Sequence, residues 1–318
     1  MRKGLAILVV MLVGLAHAGA QIAKDAVDLV PNGKGWGVEG KVPKGTEAVA
    51  KKAVATNGIS YHGGPVMRAN VVNVYFIWYG NWTNGPKASD SRTTVNLMNI
   101  LFGPTRGIGG SSYFKINSTY SDTVGHPTGN ISLLASTNNN YSRGKQLSDS
   151  DIQSIVSGAI SSRALPRDAN GLYFVLTSSD VAETSGFCIK YCGWHTSSIM
   201  GGTDIKFAFV GNADRCPNSC EMQTVSPNSD SGADGMASIM AHEAAEAVTD
   251  PDLNAWYDSA GNEIGDKCAW KFGPITGVLG QHAYNQTFGT YNWLIQTLWE
   301  NARGGGCDKA LGGIFYSQ

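Results

Sequence analysis

The stretch from about Gly235 to Thr249 limits the possible folds more than any other. It is Ala-rich, and Ile239, Met240, Ala244, Ala247 and Val248 mark it as a buried helix. Yet the same helix carries His242, Glu243 and Glu246, and no Lys or Arg occurs from 234 to 266 to neutralise them. Burying such groups unpaired is costly, so a cation is their natural partner. The fold must wrap this helix and bring it compensating groups from elsewhere in the chain.

The flanking segments indicate how. "NVVNVYFIWYG" (70–80), "GLYFVLTS" (171–178) and "DIKFAFVGN" (204–212) read as buried strands. "SRTTVNLMNILFG" (91–103) and "SDSDIQSIVSGAISS" (148–162) read as helices, the second with acidic cap residues. A last helix is expected over "TYNWLIQTLWENAR" (290–303), stopped by Gly304-Gly305-Gly306. Strands alternating with helices predict an α/β (α+β) fold with a mixed central sheet, in one domain over 58–318. Residues 21–57 are rich in Gly, Lys and Pro and read as a flexible, propeptide-like arm.

Residues 1–20, MRKGLAILVVMLVGLAHAGA, have the basic start, short apolar run and small-residue end of a secretory signal peptide. No later segment is long and apolar enough to span a bilayer. Asn-x-Ser/Thr triplets begin at Asn81, Asn117, Asn130, Asn140 and Asn285, which permits glycosylation in a eukaryotic host. Six cysteines in an exported chain favour disulfides. Local pairing, Cys188–Cys192 and Cys216–Cys220, with Cys268–Cys307 as a long staple, is expected; a four-thiolate zinc site is the rival. A net charge of −1 and no basic stretch argue against a nucleic-acid partner.

Helix geometry gives the motif its chemistry. Residues four apart lie ~40° apart around the axis and ~6 Å along it, so His242 and Glu246 can grip one ion. Glu243 is turned ~100° away and reaches beside that ion. The pattern is His-Glu-x-x-Glu: the zinc-protease motif with Glu246 in place of the second His, and a carboxylate is a legitimate zinc ligand. Asp250 lies too far along the helix and precedes Pro251, so it closes the helix or stands behind the site. Asp266, in "NEIGDKCAW", is the expected third ligand and Glu263 the fallback; the excursion resembles that of thermolysin-like enzymes. Zinc held by His242, Glu246 and Asp266, with Glu243 as the general base, would define a zincin-like hydrolase. His195, Tyr257, His282 and Tyr284 are candidate donors to a carbonyl oxygen, and spacing singles out none. No G-x-S-x-G elbow offers a serine alternative.

"ISYHGGPVM" (59–67), "VYFIWYGNWT" (74–83), "FCIKYCGWHT" (187–196), "KFAFVGNADRCPNSC" (206–220) and "DGMASIMAHE" (234–243) resemble the EXORDIUM, or phosphate-induced protein 1, family. The resemblance implies an extracellular protein, of the cell wall or apoplast if from a plant, associated with growth promotion. It transfers no catalytic residues. Two readings follow: a secreted metallopeptidase-like hydrolase acting on a peptide or cell-wall substrate, or a non-catalytic wall protein. The second would bind a glycan or receptor, with Trp78, Trp82 and Trp194 as possible stacking faces.

Overall fold

The three apolar runs become the centre of one sheet. The computed structural model describes Pro31, Lys34 and 58–314; the signal peptide and nearly all of the arm read from the sequence lie outside the described residues. Strands β1 (Val72–Tyr79), β2 (Ile131–Asn139), β3 (Gly171–Thr177), β4 (Gly193–Met200) and β5 (Thr203–Gly211) stand in the order β2-β1-β3-β5-β4. β1 is parallel to β2 and β3, and β3 to β5; β4 alone runs antiparallel, against β5. β3 is buried throughout, as expected of a strand covered on both faces. β2, at one edge, alternates between covered and open positions. β4 occupies the other edge. Its two-residue turn into β5, Gly201-Gly202, has positive φ at both positions, as a tight hairpin requires.

Helices α1 (Arg92–Leu101) and α2 (Asp149–Ser161) fall where the periodicity puts them, the second behind a capping box of Ser148 and Asp151. Helix α3 (Ser231–Thr249) is buried at every position but its first. It packs on β4 and β5, and Asp230 caps its start while accepting from Thr94 Oγ1 at 2.9 Å. Consecutive strand residues point to opposite faces. His195 therefore faces α3, whereas Trp194 faces the α2 side, packed on Phe207 and Phe209. At the start of β4, a Cβ on Gly193 would lie 2.7 Å from Ile239 Cγ2 and 2.9 Å from Phe209 O. Only glycine lets the strand come that close to the helix.

Two expectations are corrected. Residues 290–303 do not form a helix: Tyr291–Trp293 pairs with Gln286–Phe288, and Leu298–Glu300 with Gly306–Asp308. Trp293, Leu294, Ile295 and Leu298 are all buried, and Asn285 and Ser238 take up the backbone of Ile295 and Gln296 that a helix would have used internally. The cysteines 188, 192, 216 and 220 pair crosswise, Cys188–Cys216 and Cys192–Cys220, while Cys268–Cys307 is as expected. The 187–191 turn lies beside the helical turn Pro217–Cys220, so each sulfur meets its opposite number rather than its sequence neighbour. These two bonds tie the start of β4 to the approach to α3.

Candidate metal centre

Three parts of the chain converge. α3 supplies His242, Glu243 and Glu246 from successive inward-facing positions. β4 supplies His195. The segment after α3 supplies Asp250, Glu263 and Asp266. The side chains of His195, His242, Glu243, Glu246, Glu263 and Asp266 are at most 2 % exposed. The helix closes at Asp250, whose Oδ1 accepts from Asn254 N and Ala255 N at 2.6 Å each. Beyond it, Asp258 pairs with Lys267 at 2.8 Å, and Trp256–Tyr257 pairs with Ser60–Tyr61. The chain then returns to α3: Asp266 N donates to Glu246 Oε1 at 3.1 Å, and Cys268 is held by its bond to Cys307.

The sequence-predicted trio comes together. His242 Nε2 lies 2.9 Å from Glu246 Oε1 and 3.6 Å from Asp266 Oδ1. Beside it is a second group: His195 Nδ1 is 3.5 Å from Glu243 Oε2 and 3.6 Å from Glu246 Oε2. On the far side of that ring, His195 Nε2 is 3.5 Å from Glu263 Oε1 and 3.3 Å from the Asp250 carbonyl. Among these groups Glu243 Oε2, Asp266 Oδ1 and both oxygens of Glu263 have no hydrogen-bond partner. Most of these separations exceed a normal hydrogen bond of ~2.7–3.2 Å. They match the corners of a tetrahedron: donors ~2.0–2.2 Å from one ion lie ~3.3–3.6 Å from each other.

Charge points the same way. Four carboxyl groups face two imidazoles, so even with both rings protonated two negative charges remain. Without a cation the protein must hold protons here. Burial pushes Glu243 up to about 7. Burial also raises Glu263 far above, and Asp266 above, the usual carboxylate range. Burial disfavours charge on the rings, but the surrounding acids outweigh it and raise His195 and His242 well above a usual histidine. Glu246 resists burial because both histidines stabilise its anion, which holds it down at about 2.

In the cation-free protein the burial of Glu243 makes stability fall as pH rises. Glu243 binds its proton more tightly folded than unfolded, so its contribution is fully present below its ordinary value of 4.5 and is lost as pH rises towards about 7. That gap corresponds to about 3 kcal/mol, or a fall in Tm of about 6–12 °C between pH 4.5 and 7, measurable by calorimetry in chelator. The raised histidines act in the same direction at higher pH. A rising Tm over that range would contradict the placement of Glu243.

Gly265 marks how tightly the returning segment sits. A Cβ there would lie 2.5 Å from His242 Nδ1. Its backbone is ordinary helical, φ −81°, so alanine is costly only through that contact. Gly265→Ala is expected to displace the ring and lower stability by about 1–3 kcal/mol, read by chemical denaturation.

Of the candidate donors, only His195 joins the cluster. Tyr257 stacks on His62, and exposed His282 contacts Ser226 O through Nδ1, with Tyr284 on the same short strand. Two tyrosines went unnoticed in the sequence. Tyr113 and Tyr120 are fully buried, and burial followed by the Glu246 charge raises both phenols. Tyr120 donates to Trp299 O, whereas the Tyr113 hydroxyl has no hydrogen-bond partner. The stacking faces proposed for a glycan are absent: Trp78, Trp82 and Trp194 are 2 %, 5 % and 2 % exposed. Asn117 is also buried and donates to Phe114 O, and the Asn285 amide is engaged with Phe272 O and Ile295 O, so neither presents a glycan acceptor. Cavities of about 390 Å³, against Met67, Lys206 and Pro251, and about 310 Å³, against Asn96, Asn228 and Tyr291, lie outside the cluster, which is enclosed.

Fold and centre together define a mixed α+β protein, stapled by three disulfides, with a buried histidine–carboxylate cluster under a mixed sheet. The chain belongs to the phosphate-induced protein 1 family, whose conserved region matches residues 59–303. It is similar to Protein EXORDIUM-like 3 of Arabidopsis thaliana, 35% identical over 76% of this chain and 80% of that one. EXORDIUM-like 5 of the same plant is 32% identical over 76% and 75%. Protein PHOSPHATE-INDUCED 1 of Nicotiana tabacum is 28% identical over 74% and 80%. No solved structure matches the chain.

Proposed function

We propose that the cluster is a divalent-cation centre and that the protein is a secreted, zinc-dependent hydrolase of zincin-like, metallopeptidase type. The observation that carries this reading is the pair of buried histidine–carboxylate groups that share Glu246, with nitrogen–oxygen separations of 2.9–3.6 Å. Single protons satisfy each group only pairwise; a cation satisfies its three donor atoms at once. Imidazole and carboxylate donors suit zinc. His242, Glu246 and Asp266 would hold it; Glu263, the fallback acid, lies instead behind His195, 3.5 Å from its Nε2.

Zinc held there would supply an activated water and a polarised carbonyl. Glu243, adjacent in sequence to His242 and buried beside the ion's position, accepts the water proton and returns it to the leaving amine. His195 Nδ1 lies 3.5 Å from Glu243 Oε2 on the strand side. The Tyr113 hydroxyl is the available donor for the carbonyl oxygen. The enclosure keeps bulk water out, so a substrate reaches Glu243 only when the covering segment 250–266 or the edge strand moves aside.

Export is supported by the leader-like first 20 residues and by three disulfides, which persist in oxidising compartments. Among the described residues no helix is long and apolar enough to cross a membrane. The test is hydrolysis of a quenched-fluorescence peptide library by the full chain. Cleavage is expected to stop with chelator and return with zinc. A chain that retains zinc and cleaves nothing would leave a structural cation centre and end the hydrolase reading.

A further inference from the structure

We infer a second cation position beside the first, bounded by His195 Nδ1, Glu243 Oε2 and Glu246 Oε2, with Glu246 bridging two ions. It rests on the reading that this cluster holds a cation at all. The two oxygens of Glu246 face different histidines: Oε1 lies 2.9 Å from His242 Nε2, and Oε2 lies 3.6 Å from His195 Nδ1. The second group is the more regular of the two. Its imidazole-to-carboxylate separations, 3.5 and 3.6 Å, are both those of neighbouring corners around one ion.

The tautomer of His195 supplies the independent argument. Its Nε2 faces two acceptors, the Asp250 carbonyl at 3.3 Å and Glu263 Oε1 at 3.5 Å. Nε2 therefore keeps a hydrogen when the ring serves as a ligand, and Nδ1 is the nitrogen turned to Glu243 and Glu246. One imidazole nitrogen and two carboxylate oxygens then face a common point. Glu263 is 1 % exposed and lies 3.5 Å from Nε2, so its carboxyl stands behind the ring beside the Asp250 carbonyl that accepts from it. A carboxylate behind an imidazole is the arrangement that orients a metal-bound histidine and strengthens it as a ligand. A carboxylate bridge is also suited to two ions ~3.5–4 Å apart.

Glu243 is shared between two roles. With only the first position filled it is available to the water proton. With the second filled it becomes a ligand and is withdrawn from proton transfer. The first equivalent of zinc therefore activates hydrolysis and the second suppresses it.

The full chain, stripped with chelator, is titrated with zinc chloride, passed over a desalting column and analysed for zinc by plasma mass spectrometry. Two ions per chain are expected. His195→Gln should retain one, and Glu263→Gln, which keeps size and shape, should weaken the second ion by roughly 10- to 100-fold while leaving the first. Circular dichroism identifies any variant that fails to fold, and Glu263→Gln then decides alone. One ion in the wild type, unaffected by either change, overturns the second position and leaves the proposed function standing. No ion in the wild type overturns both. Two ions that both survive His195→Gln overturn the assignment to this histidine.

Discussion

Glu243→Gln is expected to leave the first zinc ion bound and to slow peptide hydrolysis by roughly 100- to 10,000-fold, the usual contribution of a positioned acid or base. The amide keeps the size of the side chain and its place between Gly193 and His195, so the helix and strand need not move. It removes the one group able to take a proton beside the ion. Burial makes this acid a better proton acceptor in the cation-free protein than an exposed carboxylate. The loss should therefore fall on kcat and leave KM nearly unchanged, as expected for a group that acts during reaction and not in binding. Loss of zinc along with activity would place Glu243 in holding the first ion and not in proton transfer.

Glu246→Gln should have a broader effect. This carboxylate is shared by both groups of donor atoms, and although burial works against it, both imidazoles hold its carboxyl down at about 2. Its replacement is expected to abolish zinc retention at both positions. The cation-free variant should also be weaker than the cation-free parent, since breaking a buried ion pair on one side costs about 3–5 kcal/mol. That corresponds to a fall in Tm on the order of 10 °C, checked by calorimetry in chelator. A variant that still retains zinc would show that the ions, if present, lie elsewhere.

What was legible in the sequence was what local pattern controls. Residues 72–79, 171–177 and 203–211 are strands because continuous apolar runs suit a sheet covered on both faces. The i, i+4 spacing of His242 and Glu246 dictated a shared helix face, and the Cys268–Cys307 bond fixes the segment that returns Asp266 to it. What sequence pattern does not single out depends on distant pairing. His195 looks ordinary in "CGWHTSSIM" because its meaning comes from the register of β4 on β5, which places it opposite Ala208 and over α3. Glu263 gains its role only through that histidine. The crosswise disulfides depend on two turns lying side by side, which spacing within each turn cannot reveal. Residues 290–303 carry a helical apolar period, but Asn285 and Ser238 hold their backbone in extended form.

The central claim is that α3, β4 and the 263–266 return surround a cation. X-ray absorption at the zinc edge, on the full chain loaded with one equivalent of zinc, tests it most directly. Nitrogen and oxygen neighbours at ~2.0–2.2 Å are predicted, with the outer-shell scattering of a histidine ring that disappears in His242→Gln. Zinc surrounded only by water, or a spectrum unchanged by that substitution, would contradict it.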